Sequence, residues 1–325
     1  MRLCCALICL PLLAGAADAP RAQRATFSVL SWNVSGMPPV EQADSFRGHL
    51  GLASPDILLL DEVEGKMSEQ EFRRVLGNPQ AGSGGWQILW GRRGGRQRIV
   101  IAAQSPLDAI DAFQNNAYDA AEIDAVLSAA PADAREGIRT QMADGIPVNA
   151  ARLTVAGKRL LVVAVDLQCC GGEWQQVRRL AEARHIRRLV DEAIRTSRPD
   201  GVILAGDLNL AAPPPARAGI GAVPLVVLSG PYAAPVYGLI AAEATQLDGR
   251  EVWTISGGDN SPFPLMPFDF QLYSAHSLSV VTARIIDTAD YPSAELKARG
   301  LTPTSSREFS DHLPVVVTYE WSARR

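Results

Sequence analysis

A carboxylate and an amide stand two positions apart at the end of an apolar run, residues 202–209, whose sequence is VILAGDLN. If this segment is extended, Asp207 and Asn209 project from the same face. A carboxylate beside an amide carbonyl suits a hard cation or a metal-bound phosphate. Asp and Asn are also common where a strand runs into a turn. The segment alone leaves a metal site and an ordinary turn both open.

Other apolar runs in the chain also end in oxygen-bearing side chains. These are Asn33, Glu62, Asp166, Asp269 and the adjacent pair Asp311 and His312. Strands followed by helices or long loops tend to present ligand groups at their carboxyl ends. The set indicates a single site lined with oxygen ligands. Because the sequence has no Cys or His cluster, such a site favours Mg²⁺, Mn²⁺ or Ca²⁺. His312 adds a group that can transfer protons near neutral pH.

Strands and helices must position these residues. Apolar, β-branched runs predict strands over residues 27–32, 57–63, 86–90, 99–103, 151–155, 159–167, 202–209, 268–273, 278–286 and 313–321. Spacing and capping residues predict helices over residues 41–52, 68–76 and 173–196. We expect the arginines of the last helix to form its solvated face, and residues 108–147 to be helical or loop-like and to serve as a lid.

The composition is that of a globular protein with one domain. Hydrophobic residues make up 47% of the 325, which is ample for a core, and no repeat or long linker divides the chain. The formal net charge of -4 argues against nucleic-acid binding over the whole surface. It is compatible with a local basic groove. Arg92, Arg93, Arg96 and Arg98 are candidates for such a groove, although a run of this kind is commonly a solvated hairpin tip.

The first residues have the pattern of a secretory signal. Arg2 precedes an apolar stretch over residues 3–14, too short to span a bilayer comfortably, and small residues around Ala16 offer a cleavage point. We expect residues 1–25 to be a removed signal peptide and residues 26–325 to be the mature domain. The expected product has no transmembrane segment and is exported to the periplasm or the extracellular space.

Two of the five cysteines, Cys169 and Cys170, lie outside this signal. An adjacent pair can close a strained vicinal ring, pair with another chain or stay reduced, and the sequence leaves these alternatives open. A metal site is a poor fit for the pair because no further soft ligand lies at a useful spacing.

Five segments, in this order, resemble the motifs of the endonuclease/exonuclease/phosphatase superfamily. They are LSWNV at 30–34, PDILLLDEV at 55–63, GDLN at 206–209, FDF at 268–270 and SDHLPV at 310–315. Each motif is short, but the ordered set covers nearly the whole mature chain. The resemblance implies an α/β fold, a four-layered α/β sandwich in which two mixed β-sheets pack face to face with helices on the outside.

The resemblance also implies a hydrolase of phosphate esters that depends on a divalent metal. Mg²⁺ is the expected cofactor, with Mn²⁺ or Ca²⁺ as alternatives. Glu62 would be the principal metal ligand and Asn33 would assist it. Asp311 would either complete the metal site or orient His312 through a hydrogen bond.

The family motifs imply in-line attack of an activated water on a phosphodiester or phosphomonoester. In that reaction Asp207 orients or activates the water, and Asn209 binds the phosphate. His312 contacts the phosphate and takes part in proton transfer. Asp269 supports these groups.

One position departs from the family pattern. Many nuclease and sphingomyelinase members carry a histidine, a candidate general acid, where this chain has Asp166. An aspartate could protonate a leaving oxygen only if burial or nearby anions raised its pKa. It could instead bind a second cation or hold another residue, and these roles stay open.

The resemblance leaves the substrate open between nucleic acid, phospholipid and other phosphate esters. A nuclease requires a basic groove, and residues 92–98 are candidates for one side of it. A sphingomyelinase or phospholipase C-like enzyme requires an exposed apolar loop, and the candidate for it is the segment of residues 218–266, which contains Trp253. A catalytically silent binding module of the same fold is a further alternative, and a monomer is expected in each case.

Overall fold

The computed structural model describes residues 26–36, 39–77, 85–210, 223–230, 238–249, 251–256, 263 and 265–322. The expected signal peptide, residues 1–25, lies outside these ranges, as does part of the 218–266 segment. Within the described ranges, none of the helices has the length and apolar character that crossing a bilayer requires.

The described strands form two mixed sheets of six strands each. The first sheet has, from edge to edge, β11 (Leu278–Ile285), β12 (Val315–Trp321), β1 (Thr26–Asn33), β2 (Ile57–Glu64), β4 (Gln97–Ala103) and β3 (Gln87–Trp90). The second has β5 (Asp108–Ala109), β6 (Val148–Val155), β7 (Lys158–Asp166), β8 (Gly201–Asp207), β10 (Asp269–Tyr273) and β9 (Ile240–Ala241). Each sheet contains one parallel pair at its centre, β1 with β2 and β7 with β8.

Helices cover the outer faces of both sheets. They are α1 (Ala43–Ala53), α2 (Glu69–Leu76), α3 (Asp111–Gln114), α4 (Ala120–Ala129), α5 (Arg135–Ala143), α6 (Glu173–Ser197), α7 (Val223–Ser229), α8 (Ser293–Ala298) and α9 (Ser305–Phe309). The predicted start of α2 is confirmed, because the Ser68 side chain accepts from the Glu71 backbone N–H and the Glu71 carboxylate accepts from the Ser68 backbone N–H.

The central strands are apolar throughout because both of their faces are buried. On β2, Ile57 and Leu59 point between the two sheets, whereas Leu58 and Leu60 pack outward among residues of the α1 and α2 layer. The same alternation holds on β7 and β8, whose other faces pack against α6 and its neighbours. The layers are therefore helix, sheet, sheet and helix, which confirms the four-layered α/β sandwich.

Two local expectations were wrong. Residues 108–147 do not form a lid, because Phe113, Val126 and Ile138 pack in the cluster that joins α6 to the second sheet. The arginines of α6 are not all on a solvated face. Three of them are buried, namely Arg178, Arg179 and Arg187, and each is satisfied by a carboxylate or by backbone carbonyls. Sequence periodicity cannot reveal the carbonyl partners of Arg179 and Arg187, since they lie outside α6. The partner of Arg178, Glu182, lies on α6 itself, four residues along.

Candidate active site

Three aspartates form a row across the second sheet. Asp166 at the end of β7 is in register with Asp207 at the end of β8. Asp269, the first residue of β10, is also paired with Asp207. Because β10 is antiparallel to β8, its beginning reaches the same edge where β7 and β8 end. Two strand ends and one strand start therefore bring these three carboxylates together.

The facing edge of the first sheet contributes a second row, Asn33 on β1 and Asp61 on β2, which are paired in register. Asp61 continues the inward-pointing set of Ile57 and Leu59 and is almost fully buried. The sequence motif assigned the metal ligand to the adjacent Glu62 and gave Asp61 no role. The signal was present, since alternation along β2 puts position 61 on the face shared by the two sheets.

A β-bulge is what brings Glu62 into the same site. The pairing of β2 with β4 shifts register between Leu60 and Val63, and Glu62 has φ 54°. Leu60 and Val63 consequently pack in the same outer cluster although they are three residues apart. The Glu62 carboxylate turns back toward the site, where Oε1 accepts from Asn33 Nδ2 at 3.1 Å. Its Oε2 accepts from Gln97 Nε2 at 2.5 Å.

A turn joins Asp207 to Asn209, which is one of the alternatives that the sequence left open. Asn209 has φ 49°, and its backbone N–H donates to Asp207 Oδ1 at 2.7 Å. Its Nδ2 donates to Asp207 Oδ2 at 2.8 Å and to the Leu167 carbonyl oxygen at 2.8 Å. Gly206 has φ 138°, and a Cβ there would overlap the carbonyl oxygen of Val165. The glycine of the GDLN motif is therefore needed for backbone geometry.

His312 lies between two of the aspartates. Its Nδ1 is 2.9 Å from Asp269 Oδ2, and its Nε2 is 3.7 Å from Asp207 Oδ2. Thr254 Oγ1 accepts from the backbone N–H of Asp269 and so fixes the start of β10. The prediction that Asp311 orients His312 through a hydrogen bond was wrong, because Asp311 is exposed and the partner of His312 Nδ1 is Asp269.

The electrostatics of the site follow from burial and proximity. Burial alone would lower the pKa of His312, but the carboxylates of Asp269 and Asp207 outweigh it and raise the pKa well above its usual value. Burial raises the pKa of Asp207 to about 7, with His312 opposing the shift. Burial also raises the pKa values of Asp61 and Asp166 well above the usual carboxyl range, and neighbouring carboxylates add to both shifts.

The donor set fits a divalent cation. Ligand atoms of Asp207, Asp269 and His312 lie within 4.8 Å of one another, as do those of Asp61, Asp166 and Asp207. Two buried oxygens, Asp61 Oδ2 and Asp269 Oδ1, have no hydrogen-bond partner. Carboxylates with an imidazole suit Mg²⁺ or Mn²⁺ better than a soft metal. Asp311 belongs to neither of these groups.

Helix α6 supports the strand end that carries Asp166. Glu182, fully buried, accepts from the backbone N–H of Gln168 through Oε2 at 2.7 Å. Arg179 donates to the carbonyl oxygens of Gln168 at 2.7 Å and Cys170 at 2.6 Å. The thiols of Cys169 and Cys170 are both free, and their sulfur atoms are 2.7 Å apart. Burial and a hydrogen bond with Cys170 raise the pKa of Cys169 to about 12.

Solved structures with the same fold come from bacteria and animals. An endonuclease/exonuclease/phosphatase protein from Beutenbergia cavernae gives a TM-score of 0.58 at 15% identity, covering 93% of this chain and 73% of that one. The human Nocturnin catalytic domain with bound sulfate gives 0.53 at 16% identity, covering 92% and 96%. D. rerio TDP2 complexed with single strand DNA product gives 0.50 at 18% identity, covering 91% and 99%. At these identities the likeness shows the fold.

Sequence comparison supplies the family. No curated protein sequence matches the chain. The family model described as Endonuclease/Exonuclease/phosphatase family matches residues 30–312, which span both sheets and every residue of the site from Asn33 to His312. This chain therefore belongs to the endonuclease/exonuclease/phosphatase family, whose members are metal-dependent hydrolases of phosphate ester bonds.

Proposed function

We propose that this chain is a Mg²⁺-dependent phosphodiesterase that hydrolyses its substrate by in-line attack of an activated water. The proposal rests on one arrangement, in which His312 Nδ1 is hydrogen-bonded to Asp269 and its Nε2 lies 3.7 Å from a carboxylate oxygen of Asp207. Asn33 Nδ2 donates to both Asp207 and Glu62 and so places Glu62 in the same group. The arrangement combines a base, an imidazolium and oxygen ligands within one buried group. These are the parts that hydrolysis of a phosphate ester requires.

Asp207 is suited to prepare the attacking water. Its pKa of about 7 places it near the pH at which a general base is both ionised and basic enough to take a proton. Hydrogen bonds from Asn33 Nδ2 at 3.2 Å and from the Asn209 backbone at 2.7 Å hold the carboxylate in one orientation.

His312 supplies positive charge to the phosphate. Asp269 orients its ring through Nδ1, which leaves Nε2 directed toward Asp207 and the substrate position. The raised pKa keeps the imidazolium protonated, so that it can stabilise charge that develops on phosphate oxygens. Asn209, which is hydrogen-bonded to Asp207, is proposed as a further phosphate contact.

Glu62 and Asn33 are the residues proposed to hold Mg²⁺. Glu62 is held by Gln97 and Asn33, and this fixes the direction of its carboxylate before any cation binds. Bound Mg²⁺ would withdraw charge from a non-bridging phosphate oxygen. The side-chain Oδ1 of Asn33 already accepts from the Ser35 backbone N–H at 2.8 Å, so Asn33 is the minor partner of the two.

Among phosphodiesters, we favour a nucleic-acid strand. Gln97, which contacts Glu62, lies between Arg96 and Arg98 of the basic stretch, and Arg92 and Arg96 are exposed. These arginines could bind phosphates that flank the reacting one. A lipid substrate has less support, because Trp253 packs against the core between the sheets. The D. rerio TDP2 structure, solved with a single strand DNA product, has the same fold.

A turnover assay with several substrates tests the proposal. The mature chain, residues 26–325, is incubated with single-stranded DNA, RNA, sphingomyelin, a phosphomonoester and bis(p-nitrophenyl) phosphate, each with Mg²⁺ and with EDTA. We expect hydrolysis of the nucleic acids that EDTA abolishes and Mg²⁺ restores. Glu62→Gln should lower the rate by at least about 100-fold, whereas the exposed control Glu136→Gln should not. Binding without turnover would instead identify a silent binding module.

We also propose that the chain is exported to the periplasm or the extracellular space and acts as a monomer. The charged and apolar pattern of residues 1–25 supports export. Cell fractionation with N-terminal sequencing of the mature protein would test it. A cytosolic protein that retains Met1 would contradict the proposal.

A further inference from the structure

A buried carboxylate in the site has no assigned task. Asp61 is 1% exposed, and its Oδ2 has no hydrogen-bond partner. It lies on the face of β2 that looks into the gap between the sheets. An ionised carboxylate in such a place is unfavourable unless a positive charge or hydrogen-bond donors compensate for its lost hydration.

Asp166 faces Asp61 from the other sheet. No described residue makes a hydrogen bond to its side chain, and no positively charged side chain pairs with it. Arg179 is close to this strand end, but its guanidinium donates to the carbonyls of Gln168 and Cys170. Asp61, Asp166 and Asp207 offer ligand oxygens that lie within 4.8 Å of one another. Carboxylates from two sheets therefore converge on one small volume.

The charge balance of the site indicates how many cations it can take. Five carboxylates, Asp61, Glu62, Asp166, Asp207 and Asp269, share the site with one imidazolium, His312. When all are ionised the sum is five negative charges and one positive, or -4. One divalent cation leaves -2, which still repels a phosphodiester anion, whereas two divalent cations leave zero.

We propose that Asp61, Asp166 and Asp207 form a second divalent-cation site, separate from the one proposed at Glu62 and Asn33. Oxygen donors alone select Mg²⁺, Mn²⁺ or Ca²⁺. The cation would place positive charge at the strand end where related enzymes carry a histidine, so Asp166 acts as a ligand there. The role of this cation in catalysis rests on the proposed function, but its binding does not.

Binding stoichiometry of Mn²⁺ tests the inference without reference to turnover. The metal-free mature chain is titrated with Mn²⁺, and free ion is followed by electron paramagnetic resonance at neutral pH. We expect two ions per wild-type chain and one ion in both Asp61→Asn and Asp166→Asn. Glu62→Gln should lose the other ion, and the exposed control Asp124→Asn should keep two.

Circular dichroism and thermal unfolding establish that each variant is folded before the titration. Because the neutral Asn side chain cannot repel the neighbouring carboxylates, the metal-free form of Asp61→Asn should melt at or above the wild-type temperature. One Mn²⁺ per wild-type chain, or two in both Asp61→Asn and Asp166→Asn, would overturn the second site. A chain that binds two Mn²⁺ but hydrolyses no phosphodiester would retain the site and refute the proposed function.

Discussion

Asp269 Oδ2 lies 2.9 Å from His312 Nδ1, and this contact fixes the only described histidine that lies in the carboxylate group. Asp269 is the first residue of β10 in the second sheet, and His312 lies three residues before β12 of the first. The contact therefore joins the sheets at the site and sets which imidazole nitrogen faces the substrate. The adjacent Asp311, although next to His312 in sequence, points to solvent.

Replacing Asp269 with Asn should slow the reaction and lower the pKa of His312. The amide can still accept the Nδ1–H bond, but it lacks the negative charge that favours the imidazolium. We expect a loss of about 10- to 100-fold in kcat/KM, as for other residues that orient a reacting group. NMR titration of the imidazole should show the lower pKa, and Asp311→Asn should shift it much less. Equal shifts in the two variants would contradict the arrangement.

Gly206→Ala should destabilise the fold at the strand end that carries Asp207. The backbone there has φ 138°, and a Cβ would overlap the Val165 carbonyl oxygen on β7. We expect a loss of roughly 3 kcal/mol in the free energy of unfolding, measured with urea. Gly157→Ala is the matched control, because φ is +76° but no atom lies near its Cβ position. It should cost only about 1 kcal/mol. Similar losses in the two variants would contradict a packing role for Gly206.

Protonation of His49 should reduce stability in mild acid. The ring is buried and is hydrogen-bonded to the Ser45 carbonyl oxygen and to Ser306 Oγ. Burial lowers the pKa of His49 from 6.5 to about 4. Between these values the unfolded chain binds the proton more readily, so stability falls as the pH drops through that window. The shift predicts a loss of about 2 kcal/mol between pH 7 and pH 5.

Urea unfolding of the wild type and His49→Gln at both pH values isolates this contribution, because the other titrating groups are common to the two proteins. The variant is expected to be less stable at pH 7 but to lose about 2 kcal/mol less on acidification. An identical loss in the two proteins would show that His49 is not the group responsible.

Much of the site was predictable because its residues belong to local patterns. Continuous apolar, β-branched runs identified the central strands, the Ser68 cap identified the start of α2, and the GDLN segment identified Asp207 and Asn209. These features depend on neighbouring residues alone. The four-layered architecture followed from the ordered motifs.

The remaining features depend on register between distant strands. The bulge at Glu62 arises in the pairing of β2 with β4, and it allows adjacent residues Asp61 and Glu62 to reach one site. The His312 partner is 43 positions away, at the start of an antiparallel strand, whereas sequence proximity suggested Asp311. A sequence pattern shows which face a residue occupies, but not which side chain meets it there.

The most direct test of the central claim compares initial rates of bis(p-nitrophenyl) phosphate hydrolysis by His312→Ala and His276→Ala at saturating Mg²⁺. His312 is buried between Asp269 and Asp207, whereas His276 is exposed and distant from these contacts. The proposed role of His312 predicts wild-type turnover for His276→Ala and a loss of at least about 100-fold for His312→Ala, with both variants folded. Equal turnover in the two variants would contradict it.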